Sequence, residues 1–414
     1  ITVSRADKLE DKILISGNEA AGLGAVYGGA TFCSWYPITP STSLAEGYEK
    51  YAKKFRIENN TGKNLFASVQ AEDELAAIGM AIGANWNGAR GFTATSGPGI
   101  SLMSEFLGLA YFAEIPLVLF NVQRGGPSTG MPTRTQQSDV LACAYASHGD
   151  TKHVVLFPSD PKECFDFSAQ AFDLADQLQT PIFVVSDLDM GMNDWVCDKF
   201  KWDDEYKYNR GKVLNKDDLD EIENFGRYLD VDNDGICYRT YPGTHPEKGA
   251  FFTRGTSHDE YARYTEDGEV NAATLSRLMK KFRTASELVP EPVIEINGKD
   301  SCGVIFYGST SPAVHEAKDI LKEKEINIDL MQIRSFPFNL DVWEFIANHD
   351  RIYVVEQNRD SQMRTLIMAE GGISPEILRP LVHFTGDPIQ ASYIVNKISE
   401  REVNYKSHIN AKKR

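Results

Sequence analysis

An α/β protein of two domains, a larger one built on a parallel sheet and a smaller one beyond a long connection, is what the sequence predicts, on three observations. Short apolar, β-branched stretches alternate with helical patterns through the first part of the chain; a charged, irregular stretch interrupts them; a second alternation follows. Strand–helix alternation of this kind yields a parallel sheet with helices packed on its faces. The 414 residues exceed what one hydrophobic core holds, and about 100–200 residues per domain suits the division.

Taken in order, the first domain (residues 1–192) carries strand candidates at 63–69, 91–94, 116–122, 153–157 and 181–186, each rich in apolar and β-branched residues. Residues 193–290 are charged and aromatic with Asp, Gly and Pro punctuation, which predicts a long connecting segment with little regular structure. The last domain (residues 291–414) alternates again: strand 302–307, helix 311–323, strand 328–332, helix 340–347, strand 351–356. Its basic tail, 411–414, is expected to fray.

Composition narrows the function. With 43 basic against 59 acidic residues the formal charge is −16, which repels phosphate backbones and anionic membranes. Nucleic acid and membrane partners are excluded on this ground. No apolar run reaches the roughly 18 residues of a membrane span, and residues 1–15 alternate charged with apolar side chains, unlike a secretory leader. The six cysteines are scattered without a C-x-x-C pair, so an iron–sulfur or zinc site within this chain is not expected. Free thiols and the absence of a leader pattern predict a cytoplasmic location.

Four segments carry chemistry. Glu74 opens a helix of small apolar residues that runs through Gly83; by itself, the acidic run Glu72-Asp73-Glu74 reads equally as N-terminal capping. Thr95-Ser-Gly-Pro-Gly99 is, in isolation, an ordinary strand-to-helix turn. In Trp35-Tyr-Pro-Ile-Thr-Pro-Ser41 two prolines hold Thr39 in a rigid, non-helical loop, and Gln123-Arg-Gly-Gly-Pro-Ser-Thr-Gly130 sets Arg124 in a glycine-rich turn. A planar guanidinium binds a carboxylate through two hydrogen bonds where lysine offers a point charge; the plainer alternative for Arg124 is a surface ion pair. Two other patterns are set aside. Gly22-Leu-Gly24 lacks the G-x-G-x-x-G spacing of a dinucleotide loop, and the calcium-like Asp230 to Gly235 run has Tyr241 where a bidentate Glu is needed.

The Glu74 helix followed by Thr95-Ser-Gly-Pro-Gly99 and the run 115–120 resembles the pyrimidine-binding domain of thiamine-diphosphate enzymes. The Tyr36-Pro-Ile-Thr-Pro40 loop, with Gly17-Asn-Glu-Ala-Ala before it and Gln123 to Gly130 after it, resembles more narrowly the alpha subunit of 2-oxoacid:ferredoxin oxidoreductases. The likeness extends from about residue 17 past residue 362. It implies that Glu74, with Glu72 as the lesser alternative, supplies the proton that tautomerises the aminopyrimidine. It further implies that Tyr36, Pro37, Ile38 and Thr39 line the cofactor, and that Thr39, Arg124 and Thr133 bind the substrate. The last domain resembles the transketolase C-terminal domain through Tyr307-Gly-Ser309, Ser335-Phe-Pro-Phe338 and Val354 to Asn358, with Ser361-Gln362 where that family has Gly-Gln; no catalysis is assigned to it.

Thiamine enzymes also need a Gly-Asp-Gly diphosphate motif followed by Asn, and this sequence has none. The resemblance therefore implies a beta subunit that supplies the diphosphate site, Mg²⁺ and a [4Fe-4S] cluster, in an (alpha-beta)₂ assembly. The implied reaction joins a 2-oxoacid, 2-oxoglutarate by overall pattern, to coenzyme A, releasing carbon dioxide and reducing ferredoxin, or runs in reverse. The alternatives are a non-oxidative, acetohydroxyacid-synthase-like subunit, a pyruvate or branched-chain specificity, and a silent scaffold.

Overall fold

The computed structural model describes residues 11–298 and 302–412. Residues 1–10 and 413–414, parts of the expected leader-free start and frayed tail, lie outside the described residues.

Strand β1 (Lys12–Ser16) leads into α1 (Gly17–Tyr27), capped by Ser16 Oγ, which accepts from Glu19 N. Strand β2 (Phe32–Trp35), α2 (Thr42–Phe55), β3 (Ala67–Gln70), α3 (Glu74–Trp86) and β4 (Gly91–Thr95) follow, then α4 (Gly97–Leu102), α5 (Ser104–Phe112) and the wholly buried β5 (Leu117–Gln123). Next come α6 (Val140–Ala144), β6 (Val154–Leu156), α7 (Pro161–Leu178), β7 (Pro181–Asp187), α8 (Leu188–Met192) and β8 (Asp194–Asp198). Pro161 stands in the first turn of α7, where its missing N–H costs nothing, and Asp160 caps it. β1 pairs with β8 in a two-stranded antiparallel ribbon.

The stretch from 193 to 290 is mostly irregular, with α9 (Lys216–Glu221), but it also holds the 18-residue α10 (Gly268–Ala285). The expectation of little regular structure fails at α10 because Asp267-Gly268 reads as a turn, whereas Asp267 is a helix cap accepting from Glu269 N and Val270 N. Tertiary contacts complete this helix: Arg277 and Lys281 both bind the fully buried Glu114.

The last part contains β9 (Val293–Glu295), β10 (Cys302–Phe306), a 3₁₀ turn (Gly308–Thr310), α11 (Ser311–Glu323), β11 (Ile328–Gln332) and β12 (Ser335–Phe336). It ends with α12 (Leu340–Ala347), β13 (Ile352–Glu356), α13 (Gln362–Gly371), β14 (Leu378–Val382) and α14 (Ala391–Lys412). The helix reaches Lys412, so 411–412 of the expected frayed tail are helical.

The larger sheet has the order β12-β6-β7-β5-β4-β2-β3, parallel except where β12 joins β6. The smaller has the order β14-β13-β10-β11-β9, parallel except for β9. Because β12 crosses to the larger sheet, the two layers share a hydrophobic core in which Phe336, Tyr307 and Ile305 join Phe157, Phe183 and Phe120. Gly22 and Gly24 of α1 and Gly28 at its C-cap have a packing role: a Cβ on any of them would come within 2.3 to 2.8 Å of an α2 or α7 atom, so close helix contact uses these glycines. Among the described residues no helix is long and apolar enough to cross a membrane.

Candidate functional site

β3, β2, β4 and β5 are adjacent and parallel, so the segments after them meet at one edge, the carboxyl edge where open α/β sheets take ligands. Glu74 follows β3, Tyr36 to Pro40 follows β2, Ser96 to Gly99 follows β4 and Arg124 follows β5. Four segments far apart in sequence are thus brought together.

Glu74 is the first residue of α3, 6 % exposed, and its carboxylate has no hydrogen-bond partner among the described residues. Capping is done by its neighbour, for Asp73 Oδ1 accepts from Ala76 N at 2.6 Å. Glu74 packs on the Gly-Pro-Gly turn: a Cβ on Gly99 would lie 3.0 Å from Glu74 Cγ and 1.9 Å from Thr95 Oγ1. Glu72 is exposed.

The 36–42 loop is held from both ends. Asn18 Nδ2 donates to Pro40 O and Ser43 Oγ, each at 2.8 Å, while Ser41 N donates to Ile38 O at 2.9 Å. Tyr36, Pro37 and Thr39 are exposed on this loop and Ile38 is half-buried. Arg124, 7 % exposed, donates from Nη1 to Thr39 O at 2.6 Å. Arg124 is no surface ion pair, since no salt bridge to it exists among the described residues.

Arg124 Nε, Thr95 Oγ1, Ser96 Oγ and Trp35 Nε1 are all buried at this edge without a partner. An unpaired buried polar group costs about 1–3 kcal/mol, and a ligand at this edge would offer these four partners. The carboxyl with no partner at Glu74 and these donors fit a heterocyclic cofactor with polar ring atoms.

A cleft of about 860 Å³ opens beside them, lined by Gly97, Pro98, Arg124, Asp139, Asn358 and Arg359 among others. Arg124 lines it, whereas Glu74, Tyr36, Pro37, Ile38, Thr39 and Thr133 do not; Thr133 is exposed in a loop closed by Gly125 N donating to Arg134 O at 2.9 Å. Gly130 in that loop takes φ +50°, and a Cβ there would sit 2.0 Å from Gly125 O, so only glycine fits.

The far wall was not legible as part of the site. Asn358, Arg359, Asp360 and Gln362 come from the turn between β13 and α13, read from sequence as structural. A buried polar network docks it: Ser309 Oγ donates to Asp187 Oδ2 (2.6 Å), Gln357 Nε2 to Ser309 Oγ (3.0 Å), Gln137 N to Gln357 O (2.8 Å) and Asn358 Nδ2 to Gln137 O (2.9 Å). Burial raises the Asp187 carboxyl above its usual range, partly offset by Ser309. Ser361 adopts φ 52°, ψ 54°, the left-handed conformation a glycine would take without strain. Asp139, also not assigned from sequence, is pushed up to about 6 by burial, against its bond from Asn121 and the nearby Arg124. The calcium-like loop is occupied by an ammonium: Lys212 Nζ lies 2.7 Å from Asp232 and 2.9 Å from Asp234.

Residues 23–196 match the thiamine-diphosphate-binding domain of pyruvate flavodoxin/ferredoxin oxidoreductases. The 2-oxoglutarate synthase subunit KorA of Methanothermobacter thermautotrophicus is 32 % identical over 386 residues, covering 90 % of this chain and 95 % of that subunit. The chain belongs to the 2-oxoacid:ferredoxin oxidoreductase alpha-subunit family. The alpha subunit of the 2-oxoacid:ferredoxin oxidoreductase of Saccharolobus solfataricus is 34 % identical over 375 residues, 88 % of this chain but 58 % of that protein. The chain thus spans less than two thirds of the length of several family members. The structure also superposes on a 2-oxoglutarate:ferredoxin oxidoreductase from Magnetococcus marinus, described with 2-oxoglutarate, coenzyme A and succinyl-CoA bound. That match has a TM-score of 0.86 at 30 % identity, over 96 % of this chain and 66 % of the other. A split-gene transketolase, 11 % identical with a TM-score of 0.53, shares the fold alone.

Proposed function

We propose that this chain is the alpha subunit of a 2-oxoglutarate-type 2-oxoacid:ferredoxin oxidoreductase, joining a 2-oxoacid to coenzyme A with loss of carbon dioxide and transfer of electrons to ferredoxin, or the reverse. The observation that carries the reading is Arg124: a buried guanidinium fixed through Nη1 to the Thr39 carbonyl, its Nε without a partner, on the sheet edge that also holds Glu74. Anchoring one nitrogen leaves Nε and Nη2 side by side, the pair that receives a carboxylate. When bound, thiamine diphosphate supplies the nucleophilic carbon and the electron sink for decarboxylation.

In this reading Glu74 holds a proton toward a ring nitrogen of the aminopyrimidine, and Thr39, Tyr36, Pro37 and Ile38 wall the cofactor. Thr133, exposed on the 125–134 loop outside the cleft lining, is given no substrate contact. A beta subunit brings the diphosphate site, Mg²⁺ and a [4Fe-4S] cluster, in an (alpha-beta)₂ assembly in the cytoplasm. The 2-oxoglutarate preference is supported by the near-full-length likeness to KorA subunits and by the named ligands of the Magnetococcus enzyme. The test is kcat/KM for 2-oxoglutarate, pyruvate and 2-oxoisovalerate in the complex with its partner. A preference for pyruvate overturns the substrate assignment, and tight thiamine diphosphate binding by this chain without a partner overturns the shared site.

A further inference from the structure

Asp139 lines the cleft that Arg124 also lines, and nothing in the reaction as outlined uses it. It precedes α6, its backbone N–H donates to Gln123 Oε1 at 2.9 Å, and its Oδ2 accepts from Asn121 Nδ2 at 3.1 Å. Oδ1 takes no hydrogen bond among the described residues, and the residue lines the same cleft as Arg124. The carboxylate is pressed on the Gly-Pro-Gly turn, since a Cβ on Gly97 would lie 2.9 Å from both of its oxygens. Glu74 packs on the other end of that turn.

The charged and titratable groups around it come from every neighbouring element. Arg124 at the end of β5 favours its anion. Cys143 on α6 and Tyr307 after β10 are buried, and burial above all raises both, followed at Cys143 by the Asp139 charge and at Tyr307 by Glu356 and Asp187, with Asp139 last, so they stay neutral. Arg359 and Asp360, paired with each other at 2.7 Å, face it across the cleft. The Asn121 hydrogen bond first and the Arg124 charge second favour ionised Asp139, and Arg124 is also the group offered to an incoming carboxylate.

We propose that Asp139 takes up a proton from solvent when the carboxylate of a 2-oxoacid docks on Arg124, so that ligand binding in this cleft is proton-linked. An anion on Arg124 cancels the field that favours ionised Asp139 and adds a like charge beside it, and both changes favour the neutral acid. Burial already pushes the Asp139 carboxyl up to about 6, against the Asn121 hydrogen bond and the Arg124 charge. It is a positioning residue: neutral Asp139 presents no anion in the cleft where the carboxylate docks. The inference rests on the reading of Arg124 as the carboxylate site.

The sign follows from linkage. The ligand binds better to the protonated form, so affinity is highest at low pH and falls as pH rises above about 6, by at most about tenfold per pH unit. The experiment titrates 2-oxoglutarate calorimetrically into the complex of this chain with its partner subunit, stripped of thiamine diphosphate so that no turnover occurs. Buffers of different ionisation enthalpy report the protons exchanged. The expected result at pH 7 is net proton uptake, at most about 0.9 proton per ligand for a group that starts at about 6. In Asp139→Asn uptake is lost, the dissociation constant becomes flat with pH, and at pH 8 the variant binds more tightly than the parent. Binding by the parent complex without proton uptake, or an unchanged pH slope in Asp139→Asn, overturns the inference while the carboxylate site stands. No binding of 2-oxoglutarate, or binding insensitive to Arg124→Gln, overturns both.

Discussion

Arg124→Lys is the change whose size follows most directly from the geometry. Arg124 spends Nη1 on Thr39 O, at 2.6 Å, and keeps Nε, buried and without a partner, for a ligand. A lysine ammonium keeps the charge but has no second, coplanar nitrogen, so it serves either the Thr39 carbonyl or the substrate with proper geometry. At least one hydrogen bond to a charged group is lost, about 1.5–3 kcal/mol. At 1.4 kcal/mol per factor of ten, kcat/KM falls roughly 10- to 150-fold. The contact is to the carboxylate common to all 2-oxoacids, so the same factor is expected for 2-oxoglutarate, pyruvate and 2-oxoisovalerate. Steady-state kinetics on the complex measure it. A fall confined to one acid, or a drop below about threefold for all three, would refute the assignment of Arg124.

Other residues give independent checks. Glu74→Gln preserves shape and hydrogen bonding but cannot supply a proton, so turnover drops by about 10²- to 10⁴-fold with cofactor still bound; near-normal turnover rules out Glu74 as the acid. Glu114→Ala leaves Arg277 and Lys281 without their buried counter-charge, and thermal or urea unfolding should report a loss of about 3–5 kcal/mol, while a loss under about 1 kcal/mol contradicts a structural role for this cluster. Burial lowers His153 to about 4, below its ordinary 6.5, so the folded state keeps it neutral while the unfolded chain protonates it. Its contribution is complete above about 6.5 and is lost as pH falls toward 4, some 3 kcal/mol in all; His153→Gln should flatten the slope of urea stability in that window, and an unchanged slope contradicts the burial argument. Ser361→Gly removes a left-handed conformation that costs an L-residue about 1–2 kcal/mol, offset by about 0.5–1 kcal/mol of glycine entropy, so the melting temperature should rise slightly and not fall.

What the sequence determined by itself was local and periodic. Buried runs such as Leu117–Gln123 and Ile328–Gln332 read as strands because a strand covered on both faces needs continuous apolar residues. Ser311–Glu323 and Leu340–Ala347 read as helices from their spacing. Glu74, Thr39 and Arg124 stand out in the sequence as candidates because of the motifs that carry them, and the fold brings those segments to one sheet edge. Tertiary structure decided what depends on distance along the chain. Helix α10 is hidden by the Asp267-Gly268 turn signal and completed by Glu114, more than 150 residues earlier. β12 leaves the domain its sequence neighbours form to pair with β6. The far wall of the cleft, Asn358 to Gln362, meets Arg124 only because Gln137 and Asp187 hold Gln357, Asn358 and Ser309 in a buried network. Such a meeting follows from which hydrogen bonds survive burial, and a one-dimensional pattern of apolar residues does not encode it.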